Sequence, residues 1–472
     1  MDLHQLVYYL NVFFFVYMFA YAVSFFLLTF FASLNLDDFF IRKEHMSYVS
    51  LSNDDNYIPI SILVPAYNEE LTIIDGISSL LNLDYPEYEI LIINDGSTDN
   101  TSETIIKHFN LKKVVRPIRK VVPSKEEIDI YENEVNNGGI RIVLVNKENA
   151  GKADALNMGI NACRYPLFIC MDADSVLERD SLRMIVEPFL VSDDTIAVGG
   201  NIKVSNSVLL DQGKIVEVKT PKKLLVIFQM IEYLRVFLTS RVSFNGINGN
   251  LIISGAFGLY SKKAVINVGG YTSGSIGEDM ELVVKMHAFY RKNKLRYKLG
   301  YVPDAVCWTQ VPESIKVLRR QRRRWHIGMG QSLSSHKFML LNPKYGTVGT
   351  VAYPYFYIFE YFAPLIELLG IFTILISFYL KIINTQFLII YLLIYMAFNI
   401  VLSSISVLLE KYMFPNSFSN KTAFKLLLFC VLESFGYRQL CSFFRITALF
   451  TRNKTDWGEM TRVKNHTVEE AS

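Results

Sequence analysis

Two kinds of apolar pattern divide this chain. Near both ends, apolar residues run on with few interruptions, and a helix needs about 20 such residues to cross a bilayer. Four runs are long enough, at residues 6–34, 353–380, 387–409 and 423–450. Residues 58–310 instead have short apolar runs between polar turns, which is the pattern of a soluble domain. The sequence therefore predicts a soluble unit between membrane-spanning helices.

The soluble region alternates predicted strands with predicted helices. Buried strands are indicated at residues 60–64, 89–93, 141–145 and 165–171, and helical spacing at 71–83, 97–109 and 153–163. Such alternation favours a mostly parallel sheet with right-handed crossovers, and ligands bind at the carboxyl ends of its strands. The predicted fold class is an α/β, Rossmann-like domain combined with transmembrane helices. The charged stretch 112–139 is interpreted as an exposed connector or hairpin.

Two segments have the spacing of amphipathic interface helices, at residues 222–241 and 312–330. The second carries a cluster of arginines next to the apolar runs. A basic amphipathic helix beside membrane spans usually lies on the lipid surface. That interpretation stays open here for Arg319, Arg320 and Arg322.

Composition supports a membrane protein and argues against other classes. Hydrophobic residues make up 51% of the 472 positions, more than a soluble protein usually has. A net charge of +3 argues against a nucleic-acid partner. The five cysteines lack the spacing of a zinc site or a disulfide framework, so we expect reduced thiols in packed positions.

The charges that flank the first apolar run predict the orientation. No lysine or arginine precedes the run, whereas Arg42 and Lys43 follow it. The positive-inside rule then places the soluble region in the cytosol of a multi-pass plasma-membrane protein. The side of the C-terminus stays open, because three further spans put it outside while Arg452 and Lys454 favour the inside.

Charges also occur within the apolar runs, where facing lipid is costly. Glu367, Glu433 and Arg438 are the main examples. They either line a polar path or form a Glu–Arg pair that only holds helices together.

The most informative polar motif is Asp172-Ala-Asp174, which directly follows the fourth predicted strand. Side chains at i and i+2 of an extended chain point to the same side, so both carboxylates can approach one divalent cation and the phosphates it carries. The motifs that accompany it, in chain order, are Pro65-Ala-Tyr-Asn-Glu69, Asn94-Asp-Gly-Ser-Thr-Asp99, Asn149-Ala-Gly-Lys-Ala153, Gly277-Glu-Asp279 and Gln321-Arg-Arg-Arg-Trp325.

With these motifs the chain resembles the processive family 2 glycosyltransferases. These are membrane synthases with a GT-A-type domain that build poly-N-acetylglucosamine, cellulose and other β-glucans, chitin and hyaluronan. The resemblance covers nearly the whole chain. It implies a UDP-sugar donor, a growing polysaccharide acceptor, an Mg²⁺ or Mn²⁺ cofactor and inversion at the anomeric carbon. It also implies contact with the lipid bilayer and leaves room for an accessory membrane subunit.

The same resemblance assigns the donor site. Tyr67 would stack on uracil, Arg324 would bind the diphosphate and Asp174 would ligate the metal. The donor-binding residues as a set would be Ala66, Tyr67, Glu69, Asp95, Lys152, Asp172 and Arg324. Core packing for Tyr67 and a solvated helix start for Lys152 are the plainer alternatives.

By resemblance, Asp279 would be the catalytic base, with Glu278 beside it. The acceptor-binding residues would be Ser254, Gly255, Gln321 and Trp325, with Trp325 stacking on the sugar. A plainer interpretation of Glu278 and Asp279 is that they are favourable charges at a helix N-terminus, and both descriptions can hold.

The sequence leaves the product open. The overall likeness favours a poly-β-N-acetylglucosamine synthase that uses UDP-GlcNAc, but β-glucan synthases that use UDP-glucose share every catalytic motif. Two departures from the usual motifs are Gly277, where a threonine is commoner, and Ser175, where bacterial cellulose synthases usually have a histidine. A non-processive transferase with a lipid acceptor and a passive transporter are the alternatives from other classes.

The predicted organisation has four parts. Residues 1–45 form an N-terminal transmembrane helix and juxtamembrane segment, and residues 46–310 a cytosolic GT-A domain. Residues 311–345 carry the interface helix with the QxxRW motif, and residues 346–472 form C-terminal transmembrane helices and a short tail.

Overall fold

The computed structural model describes residues 3–46, 57–135, 139–211, 214–219, 221–383, 385–415 and 417–449. The strands are β1 (Ile60–Ala66), β2 (Tyr88–Asp95), β3 (Lys112–Val114), β4 (Glu127–Glu132), β5 (Arg141–Lys147), β6 (Leu167–Cys170), β7 (Val176–Leu177), β8 (Thr195–Val204), β9 (Val208–Asp211), β10 (Lys214–Val218), β11 (Gly258–Ser261) and β12 (Lys298–Thr309).

The helices between and after these strands vary widely in length. They are α1 (Leu3–Met46), α2 (Ile73–Leu80), α3 (Thr101–His108), α4 (Lys152–Ala162), α5 (Ser181–Val191), α6 (Leu224–Arg235), α7 (Arg241–Gly246), α8 (Lys262–Asn267), α9 (Glu278–Lys292), α10 (Ile315–Ser335), α11 (Tyr353–Tyr355), α12 (Ala363–Tyr379), α13 (Thr385–Met413), α14 (Asn420–Leu432) and α15 (Arg438–Leu449). Wider helical turns occur at Val236–Ser240, Val348–Ala352, Phe356–Tyr361 and Glu433–Tyr437.

One ten-stranded sheet forms the centre of the soluble region, in the order β3-β4-β5-β2-β1-β6-β11-β8-β12-β7. β5, β2, β1 and β6 run parallel to one another, and they include the four strands expected from the apolar runs. β2 is buried along its whole length, because helices cover both faces of a parallel sheet. The predicted α/β fold class is therefore confirmed.

The sheet is larger than the apolar pattern indicated. In the stretch that was expected to be a connector or hairpin, β3 and β4 pair with each other and β4 extends the sheet antiparallel to β5. β8 was not expected either, although all ten of its residues are buried. Its paired glycines and its lysine interrupt the apolar periodicity that marks the other strands.

The described residues contain three helices long and apolar enough to cross a membrane: Gln5–Leu36, Leu388–Met413 and Asn420–Leu449. A fourth candidate is the bent pair Val348–Tyr361 and Ala363–Tyr379, whose axes differ by 46°. These segments correspond to the four apolar runs. The last one is interrupted at Gly436, whose φ of 94° lies in the left-handed region that suits glycine.

Helix α6 joins the sheet domain to the apolar helices. Ile231 of α6 packs in one buried cluster with Leu36 of α1, Val407 of α13 and Leu426 of α14. On β8, Lys203 forms a 2.8 Å ion pair with the buried Glu410 of α13. Apolar packing and a buried ion pair thus fix the sheet relative to the helices that lie closest to it.

All five cysteines are free thiols, as expected, and four of them are buried.

The charged tail from residue 450 onward lies outside the described residues, and so do the side chains of Arg42 and Lys43. The expectations about orientation that depend on them therefore remain predictions.

Candidate active site

A single cavity of about 1640 Å³ brings the motif residues together. It opens at the carboxyl ends of β1, β2 and β6 and extends between α9, α10 and the apolar helices. The residues assigned by resemblance that line it are Ala66, Tyr67, Glu69, Asp95, Lys152, Asp172, Asp174, Ser254, Gly255, Glu278, Asp279, Gln321, Arg324 and Trp325. Segments far apart in the chain thus share one site, as expected for the edge of a parallel sheet.

Asp95 organises the loop that precedes α4. Its Oδ1 accepts hydrogen bonds from Lys147 Nζ at 2.6 Å and from the Ala150 backbone N–H at 3.1 Å, and its Oδ2 accepts one from the Gly151 N–H at 2.7 Å. Lys147 is fully buried and also pairs with Asp154 at 2.9 Å. Sequence reasoning missed Lys147, although a lysine that ends an apolar strand is a signal of a buried ion pair.

Lys152 connects two of the acidic motifs. Its Nζ lies 2.6 Å from Asp172 Oδ1 and 3.4 Å from Glu278 Oε1. Burial alone would lower the pKa of Lys152, but the charges of Asp172 and Glu278 outweigh burial and raise it. The plainer alternative for Lys152, a solvated helix start, is therefore wrong. Burial raises the pKa of Glu278, and the lysine offsets part of that rise.

Asp279 contacts the small-residue loop before β11. Its Oδ2 accepts a hydrogen bond from the Gly255 backbone N–H at 3.2 Å. A Cβ atom on Gly255 would lie 3.2 Å from Lys152 Nζ, so a larger side chain would crowd the lysine. Both Glu278 and Asp279 lie in the first turn of α9, where negative charge is favourable. The helix-terminus description of these two residues therefore holds.

Asp172 and Asp174 are half-buried in the cavity wall. Among the described residues, no group of three or more His, Cys, Asp or Glu side chains is placed to hold an ion. One or two carboxylates nevertheless fit Mg²⁺ or Mn²⁺, since such ions usually take their other ligands from water and substrate phosphates. The donor set is thus suited to a metal that arrives with a diphosphate.

Two aromatic side chains expose their rings at the cavity. Tyr67 is 45% exposed and Trp325 is 41% exposed. Core packing is therefore wrong as a description of Tyr67. Gln321, one turn before Trp325 on α10, is 8% exposed and its Oε1 has no hydrogen-bond partner.

Arg322 does not lie on a lipid surface, contrary to the interpretation left open above. It is 5% exposed, and its Nη1 and Nη2 donate to Glu232 Oε1 and Oε2 at 2.7 and 2.9 Å. The arginine turns inward because α6 presents a carboxylate to it. Arg319 and Arg320 are exposed, so the lipid-surface interpretation stays open for them.

The far end of the cavity reaches the apolar helices, where Glu367, Glu433 and Arg438 are among its lining residues. Glu433 is fully buried and lies between two arginines, 3.3 Å from Arg235 and 3.0 Å from Arg438. Ser403 also donates a hydrogen bond to Glu433 at 3.3 Å. The two alternatives from the sequence therefore overlap, since the Glu–Arg pair exists and its members border the cavity.

Comparisons with known proteins identify a family and several similar proteins. The model of glycosyltransferase like family 2 matches residues 58–328, more than half of the chain. A poly-beta-1,6-N-acetyl-D-glucosamine synthase of Staphylococcus epidermidis is 34% identical over 294 residues, which are 61% of this chain and 60% of that protein. A synthase of the same name from Staphylococcus aureus is 33% identical over 326 residues, which are 68% of this chain and 65% of that protein.

Among solved structures, a similar one is the mannosyltransferase PcManGT from Pyrobaculum calidifontis in complex with GDP-Man and Mn²⁺. It is 15% identical, with a TM-score of 0.48, and the match covers 91% of this chain and 97% of that one.

The sheet, its ligand-side cavity and the family match define a glycosyltransferase with a GT-A fold that is joined to candidate membrane helices. The chain belongs to glycosyltransferase family 2.

Proposed function

We propose that this chain is a processive, inverting transferase that polymerises a UDP-activated hexose into a β-linked extracellular polysaccharide. UDP-GlcNAc is the leading donor and poly-β-N-acetylglucosamine the leading product. The observation that carries the proposal is the continuous cavity, which runs from the motif residues of the sheet domain to the candidate membrane helices. A transferase that adds one residue to a soluble acceptor has no need of such a path.

In this proposal residues 46–310 are the catalytic domain, and residues 311–345 add the QxxRW helix. Residues 1–45 and 346–472 provide the membrane helices of a plasma-membrane protein whose catalytic domain faces the cytosol. The bilayer is then a partner as well, because the polymer must cross it.

The donor end works by charge and stacking. Tyr67 stacks on the base, Glu69 and Asp95 hold the base and ribose region, and Lys152 lies between Asp172 and Glu278 close to the diphosphate. Asp174 would hold the divalent ion, which would supply positive charge for the diphosphate leaving group. Arg324 adds a guanidinium that can bind phosphate oxygens in pairs.

The transfer step needs a base for the acceptor hydroxyl. Asp279 is our candidate, since the Gly255 N–H orients one of its oxygens and leaves the carboxylate at the cavity wall. As the hydroxyl oxygen attacks the anomeric carbon, its proton passes to Asp279 and the bond to the UDP oxygen breaks. Attack opposite to the leaving group converts an α-linked donor into a β-linked product.

The names of the Staphylococcus relatives support N-acetylglucosamine as the sugar. The chain spans 60% and 65% of the length of these relatives, so the sugar is part of the proposal. A β-glucan synthase that uses UDP-glucose is the alternative to exclude.

The test uses the full chain, purified and placed in lipid nanodiscs. We expect UDP release and a high-molecular-mass product with UDP-GlcNAc and Mg²⁺ or Mn²⁺, and the product should be degraded by a hydrolase specific for β-1,6-linked N-acetylglucosamine. If polymer forms from UDP-glucose and not from UDP-GlcNAc, the proposed sugar is wrong and the chain is a β-glucan synthase. A product of one added residue on a lipid would overturn processivity.

A further inference from the structure

Arg322 lies against the indole of Trp325, one turn earlier on α10. The central carbon of the Arg322 guanidinium, Cζ, lies 4.7 Å from the centre of the Trp325 ring. Residues three apart on a helix share a face, so the contact is local to α10. Both residues line the cavity, but Trp325 is 41% exposed whereas Arg322 is only 5% exposed. The Trp325 indole is thus exposed to the cavity and also contacts a buried cation.

The guanidinium of Arg322 is itself held in place. Glu232 of α6 receives both of its terminal N–H groups, at 2.7 and 2.9 Å, and this pairing fixes the plane of the group. The Tyr437 hydroxyl donates to Glu232 Oε2 at 2.7 Å. α10, α6 and the interrupted segment beside Gly436 therefore meet at one carboxylate.

The same face of α6 reaches deeper into the apolar helices. Arg235, one turn after Glu232, pairs with Glu433 at 3.3 Å. Glu433 and Tyr437 belong to the same wide turn. α6 therefore binds that turn at two points, through Glu232 and through Arg235.

We propose that Arg322 is a positioning residue, which holds the indole of Trp325 in the orientation that stacks on the acceptor sugar. The inference rests on the proposed function, in which Trp325 contacts the acceptor. Arg322 acts through Trp325 and needs no contact with sugar. Lysine cannot replace it, since an ammonium group can neither pair with both carboxylate oxygens in one plane nor stack flat on a ring.

The test measures acceptor and donor affinity separately in the full chain in nanodiscs. UDP release is followed with UDP-GlcNAc while an N-acetylglucosamine oligosaccharide is varied as acceptor. We expect Arg322→Gln to raise the acceptor KM about tenfold, the loss of a desolvated cation–π contact, with the donor KM within about twofold. The acceptor KM of Arg322→Lys should lie between that of the parent protein and that of Arg322→Gln. Arg319→Gln, an exposed arginine on the same helix, is the matched control and should change neither constant.

A double-mutant cycle shows whether Arg322 acts through Trp325. Trp325→Ala should raise the acceptor KM, and adding Arg322→Gln to it should cause no further rise. If Trp325→Ala raises the acceptor KM and Arg322→Gln leaves it unchanged, the inference is wrong and the proposed function stands. If Trp325→Ala itself has no effect, the proposed acceptor site is wrong. A further rise in the double variant would also overturn the inference.

Removal of Arg322 leaves the partly buried Glu232 without its ion-pair partner, which can lower the stability of the fold. Glu232→Gln then carries the same test, because it keeps the cation under the indole and loses the charge that fixes it. A selective rise in the acceptor KM supports the positioning role. An equal loss of donor and acceptor affinity, together with a lower melting temperature, would show a merely structural role and overturn the inference.

Discussion

At the scale of single residues, Asp279 is distinguished by its neighbours. The Gly255 N–H orients its Oδ2, and Lys152 lies close enough to Gly255 that an added methyl group would crowd it. Asp279→Asn keeps the shape and one of the two backbone hydrogen bonds, from Gly255 or Met280, but removes the base. We expect transfer to fall about 10²–10⁴-fold while UDP binding stays near normal, measured as UDP release and as UDP affinity. Near-normal synthesis by this variant would remove Asp279 from the mechanism.

Asp174 has the oxygen chemistry for a divalent ion. Asp174→Ala should lose activity and also the metal-dependent part of the UDP affinity, and EDTA should do the same to the parent protein. Asp193→Ala, an exposed acid outside the cavity, is the matched control. Activity that survives chelation would contradict a role for metal.

His287 predicts a pH effect on stability. It is fully buried between the Tyr297 hydroxyl and the Asn250 carbonyl, and burial lowers its pKa to about 4 from its ordinary 6.5. The unfolded chain therefore binds a proton first as the pH falls. The contribution of neutral His287 to the free energy of unfolding is fully present above about pH 6.5 and is lost as the pH falls towards 4. By pH 5 this loss reaches about 2 kcal/mol.

Unfolding at pH 7 and pH 5 measures this loss. His287→Gln should start less stable at pH 7 and lose less on acidification than the parent. His108→Gln, which changes an exposed histidine, is the control. An equal acid response in His287→Gln and the parent would be the contrary result.

At the scale of elements, the break between α14 and α15 depends on Gly436. Its φ of 94° is costly for any residue with a Cβ, although no atom lies within 4 Å of the place a Cβ would occupy. We expect Gly436→Ala to destabilise the protein by about 1 kcal/mol or more through backbone strain alone. Gly370→Ala is the matched control, since Gly370 lies within helix α12 and its Cβ would meet only Phe14 at 3.7 Å. Equal melting temperatures for the two variants would contradict the strain argument.

The strands of the sheet show which elements the apolar pattern could predict and which it could not. β1, β2, β5 and β6 were expected from their apolar runs, because a strand buried on both faces needs nearly continuous apolar residues. β8 was missed since Gly199, Gly200 and Lys203 interrupt its run, and Lys203 is buried only because Glu410 of a distant helix pairs with it. Local patterns cannot indicate such a partner.

At the scale of the whole molecule, the cavity joins the sheet domain to the apolar helices, and Glu433 lies where both meet. Glu433→Gln leaves Arg235 and Arg438 without their shared anion. We expect lower stability together with loss of both UDP release and polymer, as for a bracing pair. Glu367→Gln, another carboxylate on the cavity wall, should retain UDP release on short acceptors and shorten the polymer. Product length by gel analysis separates the two outcomes, and a folded Glu433→Gln with short product would favour a direct role in the path.

The sequence by itself determined the fold class, the apolar helices and the set of cavity-lining motif residues, because buried strands, membrane spans and short polar motifs are local signals in the chain. Only the tertiary structure decided the partners of the buried charges. It placed Lys147 beneath Asp95, Glu232 against Arg322, and Glu433 between two arginines. A charge can be buried only where an opposite charge meets it, and such meetings between residues far apart in the chain arise from packing rather than from any local pattern.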